Sequence, residues 1–501
     1  MPAPTVGVMV EMLRGRGRRH LIRARPLVLA LVTVGLAWRA GQMVSAGGGP
    51  ARTVLSVGLA LVVTGLALRN PKAALPVLVG WLILLGATRR IVSGSTGTIG
   101  SDPLLLVGPA GLGLLTVASW RAMPTGGTRL GRVVALLGAL VIIAVVNPIQ
   151  GGVLVGLAGL LFFLVPLLGF WIGRAVEEVQ FRLVLDVIAW MSLAGALYGL
   201  VQTFVGFPIW DERWVASNPG YLALDVNGVT RGFGTMSSFA EYGLLLAFGI
   251  VVWVLAPPAR ARGPIRWVAV ATAGVALLYC GSRGPIVTLL FALGVAVAVR
   301  RGWGQGRALA AAAVFLVLAP WLLARVAPEQ RESGERGELI ARQLDGLGSP
   351  LDRQRSTLPG HVDSTYEAIK EATRRPLGAG PGAASQAASK FGDGDSGAEN
   401  DVSKAGVALG IPGLALYGYV ALWFMTTGFR TAQRTKSTVD VVAIALIAAG
   451  SLQWLNGGLY AVAPLIWLAF GWLDGTGALD PSRDHAAGPE NTHRAPVTPA
   501  R

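Results

Sequence analysis

Long apolar runs alternate with short polar breaks along almost the whole chain. About fourteen runs are long enough to cross a bilayer, centred near residues 32, 60, 81, 112, 140, 161, 193, 244, 273, 292, 316, 417, 446 and 465. This pattern predicts an all-α polytopic membrane protein of about 12–14 transmembrane helices. Two polar segments interrupt the tight hairpins. One runs from Phe207 to Thr230; the other, from about Val326 to Lys404, is the largest polar insertion. Within it, HVDSTYEAIKEATRR over 361–375 sets Val362, Tyr366 and Ile369 at helical spacing, and Pro376 ends the pattern. The glycines from Gly378 to Gly382 then read as a turn.

The expected organisation is a basic cytoplasmic tail over 1–25 and a helix bundle over 26–325, with a smaller outer loop at 207–230. A large extracytoplasmic loop over 326–404, C-terminal transmembrane helices over 405–475 and a disordered cytoplasmic tail over 476–501 complete it. The first apolar run follows six arginines between Arg14 and Arg25 and is signal-like. No small-residue cleavage site follows it, so it reads as a retained helix.

Composition sharpens this picture. The 501 residues are 53% hydrophobic and 14% charged, which excludes an ordinary soluble domain. The net charge of +16 sits in short clusters between apolar runs and marks topology, so no nucleic-acid partner is implied. With the N-terminus inside, alternate loops carry Arg69 and Lys72; Arg121, Arg129 and Arg132; Arg174 and Arg182; Arg260, Arg262 and Arg266; Arg300, Arg301 and Arg307; Arg430, Arg434 and Lys436. The opposite loops hold fewer basic residues, among them Arg89, Arg90, Arg213, Arg231 and Arg283, and both long segments fall outside. The single cysteine, Cys280, excludes an internal disulfide and disfavours a cysteine-based metal site.

Polar groups at the outer edge of a bilayer are expensive and therefore candidates for function. Arg231 stands in TRGFGTMSSFAEYG and Arg283 in YCGSRGPIVT. The long loop contributes Arg353, Arg355, His361, Glu399, Asn400 and Asp401. Glu399-Asn400 is followed, after nine residues, by Gly410-Ile411-Pro412-Gly413. Fixed arginines suit diphosphate oxygens, while a carboxylate or imidazole suits proton abstraction from a hydroxyl. Each residue also has a plainer reading. The arginines can snorkel to headgroups or pair on a solvated face, His361 can be ordinary surface, and the acidic residues can begin a helix. Gly410, Pro412 and Gly413 can serve close helix packing.

The segment from about Gly199 to Phe424 resembles the O-antigen ligase and polymerase family of bacterial envelope enzymes. RGFGTMSSFAEYGLLLA, LLYCGSRGPIVTLLFAL, and PLGAGPG followed by AENDVSKAGVALGIPGLALYGYV carry the resemblance. It implies a membrane glycosyltransferase that moves a glycan from a polyprenyl diphosphate to a glycan, lipid or wall acceptor. The reaction would be metal-independent, need no cofactor and occur at the outer face of the cytoplasmic membrane. Arg231 and Arg283 fall on arginines typical of the family, and Arg353 or Arg355 lies near its loop arginine. Glu399 stands where the family's His-Asn motif has His, so it takes the catalytic base position, with His361 in reserve. Asn400 and Asp401 are then acceptor-side residues, and Ser237 and Ser238 replace an asparagine usual in the family. The rival readings are a polysaccharide or lipid transporter, which predicts charged or broken helices at mid-membrane, and a peptidoglycan glycosyltransferase of the cell-shape family.

Overall fold

The computed structural model describes residues 70–93, 103–123, 127–217, 225–226, 229–261, 263–307, 358–385, 398 and 400–478, with scattered positions in 58–69 and 340–353. The expected spans near 32 and 316, both tails and much of the 326–404 loop lie outside the described residues.

Helices α1 Pro71–Ser93, α2 Val107–Ser119, α3 Arg129–Ala144, α4 Val153–Ala175 and α5 Glu178–Phe204 come first. The short α6 Ile209–Ser217 and a two-rung antiparallel ladder, β1 Asp225–Val226 with β2 Val229–Thr230, follow them. Next are α7 Phe239–Leu255, α8 Pro264–Tyr279, α9 Arg283–Arg301 and α10 Leu358–Arg374. The chain then forms α11 Asp401–Trp423, a π-helical turn, α12 Phe429–Thr435, α13 Thr438–Ala449 and α14 Val462–Ala478. The protein is thus an all-α polytopic membrane protein with one minimal hairpin. Eleven of the fourteen expected span centres, from 81 to 292 and from 417 to 465, fall inside these helices.

Among the described residues, five helical stretches are long and apolar enough to cross a membrane: Lys72–Val92, Val153–Ala175, Glu178–Phe204, Arg283–Arg301 and Asp401–Thr435. Shorter apolar helices, including Phe239–Leu255 and Thr438–Ala449, pack among them. Side chains from Tyr242 to Trp253 and from Val439 to Ala449 are buried on every face, as expected of helices surrounded by protein. Outward-facing apolar groups such as Val117, Val146 and Leu154 are 70–79% exposed, which suits lipid contact. The helices α4 and α14 cross closely. A Cβ on Gly173 would lie 2.2 Å from the carbonyl oxygen of Leu468, and one on Gly471 would lie 2.0 Å from that of Phe170.

Ionic contacts sort the two ends of the bundle. At the end where α1 begins, Lys72 pairs with Glu177 (2.7 Å), and buried Arg174 pairs with Asp474 (3.3 Å). The Thr128 hydroxyl adds a hydrogen bond to Asp474 (2.6 Å). The other end, where α7, α11 and α14 begin, carries the motif residues.

Three expectations change. Arg89 and Arg90, expected as outer-loop charges, are 4% and 1% exposed. Segment 207–230, expected as loop, contains α6, whose Trp214 ring packs under Arg89 (5.3 Å) and whose Asp211 pairs with Arg90. Helix α11 begins at Asp401, within the segment expected as loop, because Asn400 caps it there.

Candidate functional site

The motif RGFGTMSS does not begin a helix directly. Residues 231–238 run as a strap between β2 and the N-terminus of α7, where the Ser238 hydroxyl accepts from Glu241 N–H (3.2 Å). Much of its backbone is buried and bonded to side chains. Arg90 donates to the carbonyls of Gly234 (2.5 Å) and Met236, and its guanidinium lies 4.6 Å from the Phe233 ring. Gln202 accepts from the N–H groups of Phe233 (3.1 Å) and Gly234 (2.8 Å). Ala87 N–H donates to Thr235 O (2.8 Å). Gly86 permits this approach, since a Cβ there would sit 2.5 Å from the Met236 carbonyl carbon.

Arg231 leads the strap. Its guanidinium lies 4.3 Å from the Phe239 ring, and its methylenes run over Gly281, where a Cβ would meet them at 3.0 Å. Gly281 has φ +69° and belongs to the turn that delivers Arg283 to the first position of α9. Two motif arginines far apart in sequence therefore meet one turn. Cys280 is buried beside it. Burial pushes its thiol up to about 11, although the nearby Arg231 charge acts in the opposite direction.

The second part of the site joins the outer-loop helix to α11. Asn400 is the N-cap of α11: its Oδ1 accepts from Ser403 N–H (3.0 Å), and its own N–H donates to Ser403 Oγ (3.1 Å). Its Nδ2 donates to the Thr365 hydroxyl on α10 (2.8 Å), and that hydroxyl donates to the His361 carbonyl (2.8 Å). His361 is exposed, one helical turn from Thr365. Glu399 and Arg355 lie outside the described residues, but both neighbours of Glu399 are pinned. Ser403 holds Asn400, and Lys404 Nζ donates to Ala398 O (2.8 Å). Arg353 forms an exposed ion pair with Asp363 (2.8 Å), two residues beyond His361.

Asp401 faces inward, at 0% exposure. Its carboxylate accepts from Trp454 N–H and Leu455 N–H (2.9 Å), and its own N–H donates to Leu452 O (3.0 Å). The expectation that Asp401 contacts an acceptor sugar therefore meets a buried carboxylate already bonded to backbone. Glu241, from the first motif, holds the far end of the same irregular stretch by accepting from Ala461 N–H (2.7 Å).

The PLGAGPG motif explains the break in α11. Gly410 has φ +62° and ψ −148°, which only glycine adopts without strain. Pro412 has no N–H, so the Ala408 carbonyl loses its helical donor. Segment 376–380 replaces these bonds. Ile411 N–H donates to Pro376 O (3.0 Å), Ala379 N–H to Val407 O (2.7 Å), and Gly380 N–H to Ala408 O (2.9 Å). Asn147 Nδ2 then donates to Gly378 O (3.0 Å), and Gln150 Oε1 accepts from Gly382 N–H (3.0 Å).

Sequence reasoning did not single out Arg90, Asp211, Gln202, Glu241 or Lys404. Only the position of Glu241 and Lys404 inside quoted motifs could have flagged any of them. Among curated proteins, none matches the chain. Residues 268–418 match the family model described as O-antigen ligase, a region that contains Arg283, Arg353, Arg355, His361 and Glu399 to Asp401. Residues 268–418 are thus similar to the O-antigen ligase family.

Proposed function

We propose that this membrane protein transfers a glycan from a polyprenyl-diphosphate carrier to an acceptor hydroxyl, at the outer face of the cytoplasmic membrane and without a metal ion. The observation that carries this reading is the meeting of Arg231 with the Gly281 turn that bears Arg283. It supplies fixed charge from two separate motifs at one bundle end. In the proposed reaction the acceptor oxygen attacks the anomeric carbon as the bond to the diphosphate oxygen breaks. The hydroxyl proton passes to the base, and the arginines stabilise the charge on the departing diphosphate.

Glu399 is the proposed base, with His361 as the alternative. Asn400 orients the acceptor from its N-cap position. Arg353 or Arg355 completes the diphosphate contacts; for Arg353 this requires exchange of its partner Asp363. Asp401 acts as a positioning residue that fixes the start of α11. The break at Gly410 resembles a feature expected of transporters. Here its freed backbone groups are bonded by Pro376, Ala379 and Gly380, which favours the transferase.

The test is glycan transfer by purified protein given the lipid-linked glycan. Glu399→Gln should lower turnover about a hundredfold or more, the usual effect of losing a general base, and His361→Ala should cost less. The reverse ranking moves the base to His361; parental rates in both remove it from either residue. Transfer should persist in chelator, and a loss restored by magnesium or manganese refutes metal independence. In a deletion strain, shortened glycans indicate a polymerase, and full-length glycans stranded on the carrier indicate a ligase.

A further inference from the structure

The strap that bears Arg231 is gripped by a buried ionic network remote from it in sequence. Arg90 Nε donates to Asp211 Oδ1 (2.5 Å) across 121 residues, with side chains 1% and 0% exposed. The other oxygen of Asp211 accepts from Tyr198 Oη (2.6 Å) and from Gln202 Nε2 (2.7 Å). Asp211 thus connects the two side chains that hold the strap: Arg90 takes its carbonyls and Gln202 takes its amides. Trp210 Nε1 donates to Tyr198 Oη (2.8 Å) and extends the chain of bonds.

Such a network is a poor way to gain stability. Burying both charges sacrifices their hydration, and apolar residues of similar volume often stabilise as well or better. Its useful property is direction. The planar guanidinium reaches one carboxylate and two carbonyls at fixed angles, which an apolar contact cannot do. The bonded atoms lie two to five residues from Arg231, and no helical geometry intervenes to fix its placement.

We propose that Arg90, Asp211 and Gln202 are positioning residues that hold the strap so that Arg231 stands ready for the diphosphate of a lipid-linked substrate. This inference rests on the diphosphate role assigned to Arg231 above.

The probe is undecaprenyl diphosphate, titrated against the full-length protein in detergent. The key variant is the double Arg90→Met/Asp211→Asn, which leaves no unpaired buried charge. It should stay folded, melting below the parent because the Gly234 and Met236 carbonyls lose their donor, yet bind the probe about tenfold more weakly. Gln202→Met, which keeps the ion pair, should weaken binding in the same direction; it decides the matter alone if the double variant is not recovered folded. Arg231→Ala should weaken binding at least as much. Combining Arg231→Ala with either clamp variant should then give no more loss than Arg231→Ala alone, because both act through one guanidinium. A folded clamp variant with parental affinity, or losses that simply add, overturns the inference, since a merely structural role moves melting and not this coupling. Parental binding by Arg231→Ala overturns instead the reading on which the inference stands.

Discussion

Replacing Asp401 with asparagine separates positioning from substrate contact. In the parent, one carboxylate accepts from two consecutive backbone N–H groups, Trp454 and Leu455. Asparagine keeps the shape and one acceptor oxygen, but its amide turns a donor toward one of those N–H groups. A hydrogen bond to a charged partner contributes about 1.5–3 kcal/mol, and an orphaned buried N–H carries about 1–3 kcal/mol of desolvation. These overlap in one measurement, so the expected loss is about 2–4 kcal/mol. Asp401→Leu orphans both donors and should cost more, at the upper end seen for single substitutions, about 4–5 kcal/mol. The assay is thermal melting and monodispersity in detergent, with transfer measured per folded molecule. Asp401→Asn should melt well below the parent while its folded fraction retains most of its turnover. A variant that melts with the parent but has lost transfer would show that Asp401 faces substrate, and the positioning argument would fail.

Gly410→Ala should sharply reduce the yield of monodisperse protein. Its φ and ψ are a glycine conformation, and its Cβ would stand 2.2 Å from the Pro376 carbonyl oxygen. Detergent size-exclusion profiles check this, and a parental profile would remove the break from the account. Cys280 should resist maleimide at pH 7.5, being 1% exposed with its thiol pushed up to about 11. Intact-mass analysis showing rapid modification would place that turn in open solvent.

The spans were legible because lipid and protein interior both select apolar side chains, so hydropathy reports them whichever neighbour they meet. Helix α10 was legible too: Val362, Tyr366 and Ile369 lie on one face, and Pro376 cannot extend it. The clamp was not. Arg90 in a short polar break reads like any topology charge, and Asp211 in WDERW reads like a solvated loop. Only contact over 121 residues turns them into a buried pair. Asp401 misled for a similar reason, because an acid beside the motif Asn400 looks like chemistry until Trp454 and Leu455 are seen to occupy it. The motif glycines were visible as glycines, but their role lay in a bond exchange between 376–380 and 407–411 that no local pattern encodes.

That exchange has a mechanical consequence. Helix α10 ends at Arg374, and two residues later Pro376 is bonded to α11; at the start of α11, Thr365 is bonded to Asn400. The outer helix and the first half of α11 are thus riveted at two points, at the middle of α10 and just past its C-terminal end, and Gly410 closes this plate. The spacing of His361 and Asn400 is set within this plate, and the bonds of Asp401 to Leu452, Trp454 and Leu455 tie the plate to the stretch before α14. A helix broken at Gly410 is in this way held as firmly as an unbroken one, its load carried by segment 376–380 in place of its own hydrogen-bond ladder.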